Sequence, residues 1–377
     1  MKITNLRVEN FRNYASLNLP LQNAVNIIYG NNAQGKTNFL EAIYYAAFGI
    51  PARTRNEDEL VRFTADSFCS EVKFKNSYTE NKITVKRWQQ LNRWKKEIFL
   101  NDKKISAKEH YGLLNIVLFA PDDLQIVKGE PGLRRKFLDM EIAQTNKYYY
   151  ELLVKYNKIL AQRNKFLKNA RDTEVTDEEQ LKVWDEELSS VAAEIVVIRL
   201  KVLKSISEIS AEIYSKITEE KEVFSVDYLL KTAQDSKIEN NLQEKGEFKE
   251  FYLKEMEKRR VLDTLRGYTS IGPHRDDLLI KVDANNLRSF GSQGQQRSGA
   301  LALKLAELEF IKENKEEYPV LLLDDVMSEL DGNRRKQLLT FINGKVQTFL
   351  TVNDKELVKY LPDSKYFYVE NGKISEE

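Results

Sequence analysis

Gly30-Asn-Asn-Ala-Gln-Gly-Lys-Thr37 is the stretch that decides how this chain is read. It satisfies G-x-x-x-x-G-K-[ST] at every defined position, the pattern of a phosphate-binding loop. The apolar run before it, residues 25–29, predicts a buried strand ending at Gly30. After it, Phe39, Ile43, Tyr44 and Ala47 recur at helical spacing, which predicts a helix over 38–48. Strand, glycine loop and helix in that order aim backbone N–H groups and a helix N-terminus at one anion. Gly30, Asn31, Asn32, Ala33, Gln34, Gly35 and Asn38 are then expected around the phosphates. Lys36 would reach the β- and γ-phosphate oxygens, and Thr37 would give its hydroxyl to Mg²⁺. The expected ligands are ATP and Mg²⁺.

Two distant segments fit the same site. In Pro319-Val-Leu-Leu-Leu-Asp-Asp325, four apolar residues run into a pair of acids. That is a buried strand delivering carboxylates: Asp324 to hold Mg²⁺, and Asp325 to orient or activate the attacking water. Alone, it would equally describe a core strand ending in two solvated acids. Ser292-Gln293-Gly294-Gln295-Gln296-Arg297 opens an amphipathic helix expected over 299–313. A Ser and a Gly at a helix start form a second anion nest, useful if it caps a nucleotide bound to another copy of the chain. An ordinary helix cap reads the same way.

The ends of the chain read as α/β, and the middle does not. Strands are expected over 3–8, 68–74, 82–88, 97–100, 115–119, 278–282, 319–323, 348–352 and 366–369, with a turn at 101–104. Residues 133–168 predict a helix behind Pro131, broken at 171–176. Thr176-Asp177-Glu178-Glu179 has capping-box form. Leu181, Trp184, Leu188, Val191, Ile195, Ile198, Val202, Ile209 and Ile213 then make an apolar seam. Two long helices with a short break predict an antiparallel arm. A strand-like stretch, 223–230, and a charged helix, 247–265, follow. The expected fold is α/β: an ATPase head of residues 1–130 and 263–377 with a helical arm, 131–262, inserted.

Composition narrows the chemistry. With 59 basic and 58 acidic residues the net charge is +1, so any nucleic acid must be held by local patches. One cysteine, Cys69, leaves no intramolecular disulfide, and two histidines make a His-rich zinc site unexpected. The opening MKITNLRVENFRNY carries charge where a secretory signal would be apolar, so a cytoplasmic chain is expected.

Together, these motifs resemble the ABC-type ATPases. Residues 30–37 look like Walker A, 292–297 like the signature motif, 320–325 like Walker B, and Ser328-Glu329-Leu330-Asp331 like the D-loop. Asn5-Leu-Arg-Val-Glu-Asn-Phe-Arg-Asn-Tyr14 is similar to the opening of the SMC-like ATPases that work on DNA. Phe119-Ala-Pro-Asp-Asp-Leu124, Pro131-Gly-Leu-Arg-Arg135 with Leu138-Asp139, and Gly272-Pro-His-Arg-Asp-Asp277 resemble the RecF family of bacterial recombination proteins. The resemblance implies an ATP-dependent DNA-binding protein of gap repair and replication restart. It implies a head-to-head homodimer with ATP between the subunits and slow hydrolysis that resets it. Ser292, Gly294 and Gln295 would act across the dimer, with Asp331 in the D-loop, and Arg12 would lie near the nucleotide. The implied protein partner is RecR, with RecO in the wider pathway. Asp325 stands where transporters usually carry Glu, and Leu350-Thr-Val-Asn-Asp354 has no switch-loop His, so Thr351 or Asn353 must serve there or nothing does. Gln125 is a candidate Q-loop glutamine. The rival readings are a transporter's nucleotide-binding subunit and a structural scaffold.

The remaining candidates have two readings each. His274 is either functional or structural, and Arg134, Arg135 and Arg275 are either phosphate contacts or salt-bridged scaffolding. In the stretch 86–96, Lys86, Arg87, Arg93 and Lys95 alternate with two Trp, a pattern that suits DNA or a solvated hairpin. Lys155, Lys158, Arg163, Lys165 and Lys168 on the first arm helix invite the same choice.

Overall fold

A computed structural model describes residues 1–21, 24–54, 56–91, 93–219, 222–239, 241–358 and 364–376. The chain forms two compact units: Met1–Asp123 with Glu307–Glu377, and Leu124–Ala306. The expected arm, 131–262, lies inside the second unit, which continues to Ala306.

The first unit begins β1 (Lys2–Phe11), β2 (Tyr14–Pro20), β3 (Val25–Tyr29), α1 (Lys36–Phe48), β4 (Ser67–Lys75) and β5 (Glu80–Gln90). It goes on with β6 (Arg93–Leu100), β7 (Lys103–Ile105), α2 (Ala107–His110) and β8 (Ile116–Phe119). The second unit holds α3 (Gln125–Lys128), α4 (Pro131–Thr145), α5 (Lys147–Thr173), α6 (Glu178–Thr218), β9 (Phe224–Lys231) and β10 (Lys237–Glu239). Then come α7 (Lys245–Arg266), β11 (Asp277–Val282), β12 (Asn285–Asn286) and α8 (Leu287–Phe290). After α9 (Gln293–Lys315) the chain ends with β13 (Val320–Asp324), α10 (Val326–Glu329), α11 (Gly332–Ile342), β14 (Thr348–Val352), β15 (Ser364–Glu370) and β16 (Lys373–Glu376).

One sheet of the first unit, in the order β16-β15-β3-β14-β13-β8, is parallel from β15 to β8. Every residue of β3, β13 and β14 is buried, which is why these segments read as mainly apolar runs, with Asn26, Thr348 and Thr351 buried among them. The other sheet, β2-β1-β4-β5-β6-β7, is antiparallel, and its strands alternate. Its Leu6, Val8, Val72, Phe74, Ile83 and Val85 are buried. Helix α1 packs against strands of both sheets, so it is apolar all round rather than amphipathic. Asn101 and Asp102, both left-handed, make the two-residue turn from β6 to β7.

In the second unit α6 packs against α5, α7 and β9, and a four-stranded sheet runs β10-β9-β11-β12. The three-sided packing corrects the expected seam: Trp184, Ile198, Val202 and Ile209 are only half-buried. The buried stripe instead takes in Asp185, Arg199 and Ser210. The helix expected over 133–168 is two helices. Asn146 ends α4 and accepts the Tyr149 N–H at 3.1 Å to cap α5. Asp177, not Thr176, caps α6, accepting from the Gln180 N–H at 3.0 Å.

Candidate nucleotide site

Three adjacent parallel strands, β3, β14 and β13, end along one edge and deliver the site. In an open parallel sheet the crevice beyond the strands' carboxyl ends is where ligands bind. Gly30 turns the chain out of β3 with φ 146°, and a Cβ there would stand 2.4 Å from the Val369 carbonyl oxygen. Gly35 turns it into α1 with φ 121°, and a Cβ there would meet the Asn13 amide at 2.6 Å. Asn31, Asn32 and Ala33 between them are exposed. No side chain caps α1 and its first turn carries no acid, so its N-terminal dipole is left for an anion.

The motif at residues 10–14 braces this loop. Asn13 donates to the Gln34 carbonyl at 2.7 Å and accepts from the Asn38 amide at 2.9 Å. The Tyr14 hydroxyl donates to the Gly35 carbonyl at 3.0 Å. Arg12, expected beside a nucleotide, is held instead by Glu41, at 2.8 Å from Nε, and by the Glu59 carbonyl, at 2.9 Å from Nη1.

Lys36 folds back over the loop. Its Nζ donates to the carbonyls of Gly30 at 2.7 Å and Asn31 at 2.9 Å, and to Asn353 Oδ1 at 2.8 Å. Burial pushes its ammonium below the usual lysine range, against the pull of Asp325 and Asp324. Thr37 donates its hydroxyl to Asp324 Oδ1 at 2.8 Å, joining Walker A to Walker B. Thr351 donates to the same oxygen at 2.8 Å and accepts from the Asp325 N–H at 2.9 Å. Thr351 and Asn353 thus both meet the site, because β14 runs in register beside β13 with Thr351 opposite Asp324. The other Asp324 oxygen, Oδ2, pairs with Arg53, a residue whose surroundings in the sequence carry no pattern.

Elsewhere the candidates divide. Ser292 and Gln295 cap α9 reciprocally: each backbone N–H donates to the other's side chain, at 2.8 and 3.2 Å. Asp331 caps α11 through the N–H groups of Asn333 and Arg334, and the Arg334 N–H bond leads in holding its carboxyl below the usual range. Gln125 is exposed at the start of α3. Lys86, Arg93 and Lys95 are exposed, and residue 92 of that stretch lies outside the described residues. Lys86, Trp88, Arg93 and Lys95 share one face of the β5–β6 ladder. Arg87 lies on the other face, buried against Asp58, Glu57 and the Trp94 ring. Arg163 is no surface cation either: it is fully buried with Asp185 and Asp263.

The remaining family motifs clamp the second unit. Arg134 reaches Asp277 Oδ1 at 2.8 Å, and Arg135 the Asp276 carbonyl at 2.6 Å. Arg199 holds Asp139. His274 is half-buried between the Tyr156 hydroxyl, 2.6 Å from Nδ1, and the Thr269 carbonyl, 3.2 Å from Nε2. Burial pushes its pKa down to about 3. These are scaffold contacts within the described residues.

The model of the RecF/RecN/SMC N-terminal domain family matches residues 2–375. The DNA replication and repair protein RecF of Clostridium tetani is 42% identical over 100% of both chains. The chain belongs to the RecF family. The RecF of Ligilactobacillus salivarius is 39% identical, over 100% of this chain and 98% of its own. A solved structure of the recombination mediator protein RecF with ATP, in the RecFOR pathway, superposes with TM-score 0.90 at 34% identity, covering 100% and 97% of the two chains. An SMC head shares the fold alone, at 16% identity and TM-score 0.57. The chain is therefore an SMC-like ATPase-head protein of DNA replication and repair, and the transporter reading falls. Among the described residues no helix is long and apolar enough to cross a membrane.

Proposed function

We propose that the chain is an ATP-gated DNA clamp of recombinational gap repair, acting in the cytoplasm. The observation that carries the reading is the Thr37–Asp324 contact at 2.8 Å, between residues 287 apart in sequence. A hydroxyl and a carboxylate side by side at a phosphate-loop helix suit Mg²⁺, a hard cation that takes a few protein oxygens and completes its shell with phosphates and water. When bound, Mg²⁺ would neutralise charge on the β- and γ-phosphates.

In this reading the residues 30–38 bind the triphosphate, with Lys36 leaving the Gly30 and Asn31 carbonyls for phosphate oxygens. Thr37 and Asp324 hold the ion. Asp325 orients the attacking water, with the shorter reach of Asp favouring slow turnover. Ser292, Gly294 and Gln295 complete the site of a second copy, and Asp331 lies in the D-loop of that contact. Arg12 would have to leave Glu41 to touch nucleotide, so we assign it to tying the β1–β2 turn to α1. Lys86, Arg93 and Lys95 face DNA phosphate, with Trp88 among them. RecR is the proposed mediator partner, by analogy with the RecFOR pathway of the solved relative. The head is proposed as 1–130 with 263–377, around an arm of 131–262.

A fluorescent ATP analogue titrated with Mg²⁺ tests the site. Wild type should bind it and Lys36→Met should bind at least about tenfold more weakly, since a charge-assisted hydrogen bond adds roughly 1.5–3 kcal/mol. Equal binding by both proteins would remove the reading.

A further inference from the structure

Asp324 is nearly buried and already fully engaged. Its Oδ1 accepts the Thr37 and Thr351 hydroxyls, both at 2.8 Å. Its Oδ2 faces Arg53, whose side chain is 47% exposed while that of Asp324 is 4% exposed. Lys36 does not bridge to Asp324: its ammonium hydrogen bonds go to two loop carbonyls and Asn353. The cation against the Walker B carboxylate is thus a guanidinium carried by the segment after α1, at the spot where the fold calls for a divalent ion. A buried carboxylate needs such a partner, because an isolated buried charge is strongly disfavoured.

From this we infer that Arg53 is a built-in stand-in for Mg²⁺ on Asp324, one that the metal must displace when nucleotide binds. The inference rests on the nucleotide-site reading above. It follows from charge alone. A divalent ion on Asp324 and a guanidinium on the same carboxylate repel, so each weakens the other. With Arg53 in place, Asp324 is neutralised and does not repel an incoming triphosphate. With Arg53 removed, the carboxylate is bare: the metal binds more readily, and a metal-free triphosphate is repelled. The two effects have opposite signs, which neither a fold defect nor a plain phosphate contact would give.

The test uses the full chain, a fluorescent ATP analogue, and two conditions: EDTA, and increasing Mg²⁺ at fixed nucleotide. Arg53→Gln removes the charge, and Arg53→Lys keeps it. For a half-exposed ion pair the expected size is about threefold to fivefold. Arg53→Gln should lower the Mg²⁺ concentration at half-saturation by that factor and weaken binding in EDTA by a similar one. Arg53→Lys should return both toward wild type. An unchanged or higher Mg²⁺ midpoint in Arg53→Gln, or weakening in Mg²⁺ and EDTA alike, overturns the inference. Wild type that binds no analogue even with Mg²⁺ would instead overturn the site reading beneath it.

Discussion

Asp325 stands at φ 52° and ψ 23°, in the left-handed region, immediately after the strand that delivers Asp324. Asp and Asn tolerate this conformation better than other non-glycine residues. The Thr351 hydroxyl fixes it by accepting the Asp325 N–H. The two adjacent acids therefore have different surroundings: Asp324 is buried, and Asp325 is half-exposed beside it. Asp325→Asn keeps the backbone and the N–H bond and removes only the carboxylate proposed to act on the water. We expect nucleotide affinity to stay within about twofold while turnover falls on the order of a hundredfold, the usual scale for losing a general base. Parallel binding and phosphate-release assays check this, and undiminished turnover would relieve Asp325 of the role.

At the scale of elements, His274 shows how tightly the loop before β11 is tied to the helices. It packs half-buried against Tyr156 of α5; desolvation leads in its reluctance to protonate, and Arg275, Arg135 and Arg163 add to it. The unfolded chain takes up a proton on this histidine near pH 6.5 and the folded chain only near 3. The folded form therefore loses stability from this group as pH falls from 6.5 toward 3, by about 2 kcal/mol at pH 5. Asp276, pushed up to about 6 by burial, works in the opposite sense over roughly pH 4–6. Comparing urea unfolding of wild type and His274→Gln at pH 7, 6 and 5 isolates the histidine. The variant should lose less stability on acidification, and parallel pH profiles would contradict this.

The same scale shows where the sequence was legible. Strands β3, β13 and β14 were readable because both their faces are buried, which leaves runs of apolar residues with sharp ends. The strand–loop–helix turn at 30–37 was readable because Gly30 and Gly35 stand where the backbone needs positive φ. The break at Asn146 was not, because one capping side chain interrupts an otherwise continuous helical pattern. Arg87 and Arg163 looked like surface cations, because a buried ion pair leaves no trace in spacing: each partner lies far off in the chain. Arg53 was invisible for the same reason. The braces at Asn13 and Tyr14 lay in a quoted motif, yet their targets, the carbonyls of Gln34 and Gly35, are backbone atoms that no residue pattern displays.

For the whole molecule, nucleotide is proposed as a link between two copies. In the proposed pair one copy would offer residues 30–38 and Asp324, and another the α9 start at Ser292. ATP can favour a closed pair only as far as it binds that pair more tightly than the open chain. The near-neutral total charge means that DNA is held by a local surface, so retention should weaken steeply with salt. The most direct measurement is sedimentation velocity of wild type, Lys36→Met and Ser292→Arg, with and without ATP and Mg²⁺, in the presence of duplex DNA. Wild type is expected to shift to a dimer that retains DNA only with ATP. Lys36→Met should stay monomeric for want of nucleotide, and Ser292→Arg should bind nucleotide yet stay monomeric. Monomers indifferent to ATP and DNA, or a Ser292→Arg protein that dimerises like wild type, would contradict it.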